Sequence, residues 1–374
     1  MRIVHFTLGS VNPQSLNGIN RVVDGLASAM NKSGLAQASV ITVRHKMKSK
    51  GRQVFHRDGF DVTACHSTAE ALRLFDERRA EIDLVHLHNA WSRDNVQIGR
   101  WLAKQNIPYI LTPHAAFLPD RMTRKTWLKS LFHRFMQQKL LDQAAALTAV
   151  SRDEMSSIAQ FTANTRIEFV PNGTKTIDWT AHRSAPSEAS DRVNVGYLGR
   201  IGREKNILAL VQAVHALPLN VQSQLCVHVF GDCENDYGRA CQRLAQRLGV
   251  EDCLRFHGAV SAEEKWPALG GLDAYIQPSL SEAASIAVME AIAMGLPLVA
   301  TRTSGVSYWQ GQPFLTMVEP IVSDLARGLA QLVSQRAQLR EQGALARAFY
   351  EQNFTWDRVA ERQVAVYASC IAKT

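Results

Sequence analysis

Two carboxylates stand eight positions apart in the segment YIQPSLSEAASIAVMEAIAMGLPLVAT, residues 275–301: Glu282 and Glu290. Between residues 283 and 294 every side chain except Ser285 and Glu290 is small or hydrophobic, a pattern that predicts a helix buried almost all round. A desolvated, unpaired carboxylate costs on the order of several kcal/mol, so stability alone would not choose Glu290. A ligand rich in hydroxyl groups would supply the missing donors. The Pro278-Ser279-Leu280-Ser281 loop leads into the helix N-terminus, where free N–H groups and the positive end of the dipole favour phosphate. Glu282 is expected just before the first turn, with Glu290 roughly 8 Å further along the axis at 1.5 Å per residue, so that the two could flank one diphosphate. The structural alternative makes Glu282 a dipole-favoured first-turn residue and Glu290 the partner of a buried arginine.

Other groups at predicted strand ends suit the same chemistry. After VNVGYL comes Gly199-Arg200-Ile201-Gly202-Arg203-Glu204-Lys205-Asn206, in which a guanidinium fork and an ammonium suit a diphosphate. Charged loops are also often merely solvated. Ser15-Leu16-Asn17-Gly18-Ile19-Asn20-Arg21-Val22 follows the first strand and opens a helix, a second anion-binding candidate that lacks the GxGxxG dinucleotide fingerprint. Thr112-Pro113-His114-Ala115 closes a strand and carries an imidazole, either structural or a titratable group in the site. His86 and His88 alternate on one strand, and with no third ligand near them in sequence they predict no zinc site.

These loops need a scaffold. Short β-branched runs (RIVHFTL, ASVITV, DLVHLH, PYILTPH) alternate with amphipathic stretches such as 19–30 and 95–104, which predicts a parallel sheet covered by helices. The polar segment 174–192 interrupts the rhythm and is expected to link two domains. Beyond it RVNVGYLG, LCVHVFG, CLRFHG, LDAYIQP and LPLVAT build a second Rossmann-like sheet. Two such α/β domains facing across a cleft would line it with loops from the carboxyl ends of their strands. A length of 374 residues agrees with two domains. The six cysteines show no CxxC or zinc spacing and fit reduced thiols. With no signal-peptide pattern and no apolar run of 18 residues, the expected location is the cytoplasm.

The net charge of +8 has one concentrated source. Residues 121–139 carry Arg121, Arg124, Lys125, Lys129, Arg134 and Lys139 without an acid, bordering a stripe of Trp127, Leu128, Leu131, Phe132, Phe135 and Met136. Such a helix either lies on an anionic membrane surface or packs on its own domain with a solvated rim. No nucleic-acid module appears, so nucleic acid is not an expected partner.

The motifs NGINRV, VHLHNAW, TPH, AVS, VPNG, YLGRIGREKN, FGD, FHGAV and the E-x7-E segment with EAIAMGLPLVAT span nearly the whole chain. In order and spacing the chain resembles the family 4 retaining glycosyltransferases of the GT-B fold. The resemblance implies an N-terminal Rossmann-like domain, 1–175, on the acceptor side, completed by a C-terminal helix, 355–374, that crosses back to it, and a nucleotide-sugar-binding domain, 190–352. It also implies that Arg200 and Lys205 neutralise the donor diphosphate, Glu290 holds the ribose, Glu282 holds the transferred sugar and His114 stands at the reaction centre. Gly18, Gly199, Ser285 and Ile286 complete the implied donor-binding set. Retention would proceed by front-face attack, the leaving phosphate oxygen helping to take the acceptor proton. The implied partners are a nucleoside diphosphate sugar and a saccharide or lipid-linked acceptor, as in bacterial surface-polysaccharide assembly at the inner membrane face. No cofactor or metal is implied, and no DxD-type motif occurs at a plausible place.

The chain departs from the family pattern at Asn17 and Asn206, where glycines are usual, and at Ala284 and Ser285, where Phe and Gly are usual. The run RTSGVSYWQGQP after Thr301 lacks the usual glycine-rich segment. Two other readings compete: a GT-B-fold sugar-nucleotide epimerase, which needs acid and base groups around the sugar ring, and a noncatalytic nucleotide-sugar-binding subunit.

Overall fold

The computed structural model describes residues 1–9, 18–45, 51–122, 131–182 and 192–372. The chain forms two compact units, Met1–Lys175 with Phe354–Thr374, and Thr176–Asn353.

In the first unit the strands are β1 (Arg2–Leu8), β2 (Gln37–Val43), β3 (Gln53–Arg57), β4 (Phe60–Cys65), β5 (Leu84–His88), β6 (Tyr109–Thr112), β7 (Ala146–Ala149) and β8 (Ile167–Phe169). They form one sheet in the order β3-β4-β2-β1-β5-β6-β7-β8. All neighbours are parallel except β3 and β4, an antiparallel hairpin whose register, Arg57 opposite Phe60, leaves Asp58 and Gly59 as the turn. This hairpin breaks the expected strict strand–helix alternation. An Asp-Gly pair with Gly59 at φ +91° is the local signal for it. Two apolar layers cover the faces, one around Phe6, Phe75, Ile98 and Leu111, the other around Val23, Met30, Ile110 and Tyr367.

Tyr367 belongs to the helix Trp356–Ile371, which Thr355 caps by accepting from Arg358 N–H. This helix packs on the helix Gly18–Lys32. The two approach closely because Gly25 and Gly173 leave room for the Trp356 ring, and a Cβ at either position would come within 3 Å of it.

The second unit contains β9 (Val193–Leu198), β10 (Leu225–Phe230), β11 (Leu254–Gly258), β12 (Ala274–Gln277), β13 (Leu298–Thr301) and β14 (Leu315–Val318), all parallel, in the order β11-β10-β9-β12-β13-β14. The chain winds outward in both directions from β9, so β9 and β12 are neighbours whose connections leave to opposite sides. Such a switch point opens a crevice at the carboxyl ends of the two strands.

Candidate functional site

In the second unit one ion pair joins the segments that follow β9 and β12, the switch-point strands, and a second joins the helices that follow β11 and β12. The turn after β9 tightens into a short 3-10 segment, Arg203–Lys205, and Asn206 takes a left-handed conformation at φ +60° before the helix Ile207–His215. Asn is among the few non-glycine residues that tolerate this conformation, which is how the chain manages without the usual glycine here. The Asn206 amide also donates to Pro320 O at 3.1 Å. Gly199 follows β9, and its carbonyl fits against Gly231, where a Cβ would collide with it.

After β12 the chain runs as a loop to Ser285, and the helix spans Ile286–Ala293, three residues shorter at its start than the apolar run suggested. Ser285 has the extended backbone of an N-cap, but its hydroxyl caps no helix N–H. Ser285 is buried and Ile286 half-buried. Glu282 thus lies in the loop, where Lys205 pairs with it; the two side chains are 13% and 16% exposed. Leu280 N–H donates to Glu204 O at 2.8 Å and ties this loop to the 3-10 turn.

The run after Thr301 also has a task. Glu282 N–H donates to Thr303 O, Thr303 Oγ1 donates to Ser279 O, and Gly305 at φ +74° presses against the carbonyls of Glu282 and Ala283. Residues 301–305 therefore brace the loop that carries Glu282.

Glu290, with its side chain 7% exposed, is not left to an external ligand. Lys265 Nζ donates to its Oε1 at 2.5 Å, and the ammonium also lies over the Trp266 ring, 4.3 Å from its centre. This corrects two expectations: the buried carboxylate has a partner within the protein, and that partner is a lysine rather than an arginine. Sequence reasoning missed Lys265. Its one local signal was Ser261-Ala-Glu-Glu264, a capping box in which Glu264 N–H donates to Ser261 Oγ and Ser261 N–H to Glu264 Oε2, starting the helix Lys265–Gly270. Arg200 stands apart from both pairs, 77% exposed, with Glu204 as its ion-pair partner at 3.4 Å.

In the first unit the candidate site residue His114 belongs to a cluster of histidines. Six non-glycine residues have positive φ among the described ones, and four lie just past β5 and β6: Asn89, Trp91, His114 and Ala115. Backbone held in such conformations costs of order 1–3 kcal/mol each and tends to mark functional loops. The strain at His114 and Ala115 (φ +53° and +69°) is held by Glu154, fully buried, whose two carboxylate oxygens accept from Ala115 N–H at 2.6 Å and Val150 N–H at 2.8 Å. Burial pushes the Glu154 carboxyl up to about 7 despite these two bonds.

His114 is half-buried and His88 fully buried; His88 Nδ1 lies 3.0 Å from His114 Nε2, and His88 Nε2 lies 3.0 Å from Nδ1 of the fully buried His5. His86, beside His5 in the β1–β5 register, engages Tyr367 Oη and Thr112 Oγ1, each at 2.7 Å. Burial lowers His5 to about 3 and His114 to about 4, and holds His86 and His88 well below the usual imidazole range, so all four are neutral at pH 7.

The expectation that no third ligand accompanies His86 and His88 is corrected, because β1 brings His5 beside them and the donor nitrogens lie within 4.8 Å of one another. Every ring nitrogen of this trio except His5 Nε2 already has a hydrogen-bond partner, so the cluster is a hydrogen-bonded network. Gly18 is exposed at the start of its helix, while Ser15, Leu16 and Asn17 lie outside the described residues.

The basic segment is only partly described. Residues 123–130, with Arg124, Lys125, Trp127, Leu128 and Lys129, lie outside the described residues, as does the side chain of Arg121. Over 131–142 the helix passes through a π turn, His133–Gln137, that divides the apolar stripe. Phe132 and Met136 pack on the core, whereas Leu131 and Phe135 are 50% and 67% exposed beside exposed Arg134 and Lys139. Among the described residues no helix is long and apolar enough to cross a membrane.

The 3-2-1-4-5-6 order of this parallel sheet, with a lysine–glutamate pair joining the segments after its two switch-point strands, is the arrangement of the nucleotide-binding α/β folds. Comparison with known proteins agrees. The pattern described as "Glycosyl transferase 4-like domain" matches residues 17–173, and that described as "Glycosyl transferases group 1" matches residues 179–348. A D-inositol 3-phosphate glycosyltransferase of Corynebacterium jeikeium is 28% identical over 320 residues, covering 80% of this chain and 75% of the relative.

Among solved structures, a sucrose-phosphate synthase from Thermosynechococcus elongatus superposes with TM-score 0.77 at 18% identity, covering all of both chains. Anabaena HepE in complex with UDP-glucose gives 0.72 at 17% identity, covering 99% of both. The chain belongs to the group 1 glycosyltransferases, family 4, and has the GT-B fold. It is a glycosyltransferase, and the epimerase and noncatalytic readings are not favoured.

Proposed function

We propose that the enzyme is a retaining, metal-independent transferase that takes its sugar from a nucleoside diphosphate donor held by the second unit. The observation that carries this reading is the Lys205–Glu282 pair at the β9/β12 switch point. In the free protein each group neutralises the other. A diphosphate gives Lys205 a new partner and leaves the Glu282 carboxylate to accept from sugar hydroxyls. Glu290 does the same for the ribose once Lys265 yields. Departure of the nucleotide builds negative charge, which the Lys205 ammonium and the solvent-facing fork of Arg200 stabilise without a metal ion.

His114 serves the transferred sugar, and the acceptor proton goes to the departing phosphate oxygen on the same face, which retains the anomeric configuration. HepE is described with UDP-glucose, which makes UDP-hexoses the first donors to try. A thermal-shift panel of UDP, GDP and ADP sugars on wild type and Glu290→Gln tests the donor site. A ligand at about 100 times its Kd stabilises the native state by roughly 2.7 kcal/mol. One nucleotide series should stabilise wild type and lose most of its effect in the variant; no shift with any of them refutes the donor site. Transfer that survives EDTA supports metal independence, and transfer abolished by EDTA refutes it.

The acceptor in this reading is a saccharide or lipid-linked saccharide at an anionic membrane surface. Exposed Leu131 and Phe135 flanked by Arg134 and Lys139 favour that reading. Wild type should sediment with vesicles containing anionic lipid and Leu131→Ser/Phe135→Ser should not. Indifference of wild type to vesicles removes the membrane from the proposal.

A further inference from the structure

We infer that His5 and His88 are positioning residues that fix which nitrogen of His114 carries its proton, so that His114 meets the substrate as a neutral Nδ1–H donor and not as a base. The inference rests on the reading that His114 serves the transferred sugar. Its geometric part stands on the first unit alone.

The three rings form an unbranched chain, His5 Nδ1 to His88 Nε2 and His88 Nδ1 to His114 Nε2, both 3.0 Å, with adjacent rings stacked at 20° between planes. A neutral imidazole carries one N–H, so each link passes its direction to the next. Two arrangements satisfy both links; they run in opposite directions, with all three tautomers reversed, and what they leave unpaired differs only at the ends. In one, His5 carries its proton on the buried Nε2, which has no partner among the described residues. In the other, His5 Nε2 is a bare lone pair and Nδ1 donates. A buried orphan N–H is the rarer of the two defects, because an acceptor lacking a partner is better tolerated.

The second arrangement therefore holds: His5 Nδ1–H donates to His88, and His88 Nδ1–H donates to His114 Nε2. That leaves the proton of His114 on Nδ1. Among the described residues no hydrogen bond reaches this atom, which is the one left for a ligand. With its Nε2 lone pair occupied by His88, His114 has no free site on which to take the acceptor proton, and that role falls to the leaving phosphate oxygen.

His86 lies beside the chain without joining it, since both of its nitrogens are engaged by Tyr367 and Thr112, and Thr112 in turn bonds Thr148. Glu154 holds the backbone of Ala115, so the ring of His114 is fixed from two sides.

Full-length protein labelled with 15N at histidine gives the direct test, because ring-nitrogen shifts and two-bond couplings to the carbon-bound protons separate a protonated from a bare nitrogen. The spectrum at pH 7 should show Nδ1–H tautomers for His5, His88 and His114, assigned by His5→Phe, His88→Phe and His114→Gln. An Nε2–H tautomer at His114 overturns the inference, as does a change in the His5 and His88 signals on adding one equivalent of zinc sulfate, which would make the cluster an ion site. These outcomes are independent of any transfer assay, so they stand even if the donor reading fails.

In the transfer assay His88→Phe should lower kcat roughly tenfold with little change in donor KM, the loss expected from one undirected hydrogen bond. His88→Asn, whose amide can still donate toward His114, should recover most of that loss. Unchanged kcat in a folded His88→Phe, or failure of His88→Asn to recover any rate, refutes the positioning role.

Discussion

Replacing Lys265 by Met strips the partner from a carboxylate whose side chain is only 7% exposed. At 2.5 Å and an effective dielectric constant of 20, the attraction between the two charges is about 7 kcal/mol. Desolvation of both groups cancels most of it, so the pair contributes little net stability. The measurable quantity is the cost of leaving one member alone. For a buried pair that cost is about 3–5 kcal/mol, and the partial exposure of Lys265, 18%, places it near the lower end. Lys265→Met should therefore destabilise the second unit by about 3 kcal/mol, or roughly 6–12 °C in Tm for a unit of this size.

Glu290→Gln should cost less, about 1 kcal/mol, because the freed ammonium keeps the face of Trp266 and a route to water along its flexible stem. The double variant Lys265→Met/Glu290→Gln removes both charges and should return to within about 1 kcal/mol of wild type. Urea unfolding of the four proteins closes the cycle. If the double variant is as unstable as Lys265→Met alone, the lost stability came from the lysine stem and its packing, and the account of Glu290 as a charge held by Lys265 is refuted. The same variants bear on function: nucleotide should stabilise Lys265→Met more than wild type, because no ion pair has to be exchanged for the ribose.

Further perturbations follow from the same structure. Acid should destabilise the first unit, because His5, His86, His88 and His114 stay neutral when folded and charge when unfolded. Their folded values lie below 6.5, so the stability they lend is complete above pH 6.5 and is lost as pH falls toward about 4 and 3. Glu154 runs the other way, raised to about 7: its contribution is full below 4.5 and is lost as pH rises through 7. From these five groups alone the net uptake on unfolding near pH 5.5 is about three protons, the lowered His133 adds to it in the same direction, and a Tm that does not fall between pH 7 and 5.5 contradicts it.

At the turn after β9, Asn206→Gly should cost about 1 kcal/mol, the bond to Pro320, and Asn206→Ala about 2, since alanine also meets the left-handed backbone. Equal losses in denaturant titrations would show that the backbone conformation is not what selects Asn. Gly25→Ala should lower stability by about 1–3 kcal/mol by pushing a methyl into the Trp356 ring, with recovery in Gly25→Ala/Trp356→Leu. Additive losses in that pair would dismiss the steric account.

Much of the architecture was legible in the chain because it follows from local period and punctuation. The runs RIVHFTL, DLVHLH and LDAYIQP are strands since a parallel sheet buried on both faces needs continuous β-branched and apolar residues, and β1, β5 and β12 lie where those runs occur. The chemistry of Glu282, Lys205 and His114 was suggested by residue type at the ends of such runs, since loops at carboxyl ends are the part of this fold free to vary. Strand order was not legible, nor was anything that depends on it.

Lys205 meets Glu282 across 77 positions, Lys265 meets Glu290 across 25, and His5 meets His88 across 83. No local pattern records these meetings. The first and third arise when β9 pairs with β12 and β1 with β5, and the second when the helices after β11 and β12 pack on their sheet, all arrangements chosen by burial of whole elements and not by the polar residues at their ends. Sequence thus determined which chemical groups the enzyme possesses and on which kinds of element they ride. The tertiary structure decided which of them are partners, because a buried charge or an imidazole proton is governed by whatever lies within a few ångströms, and that distance is set by packing across the sheet.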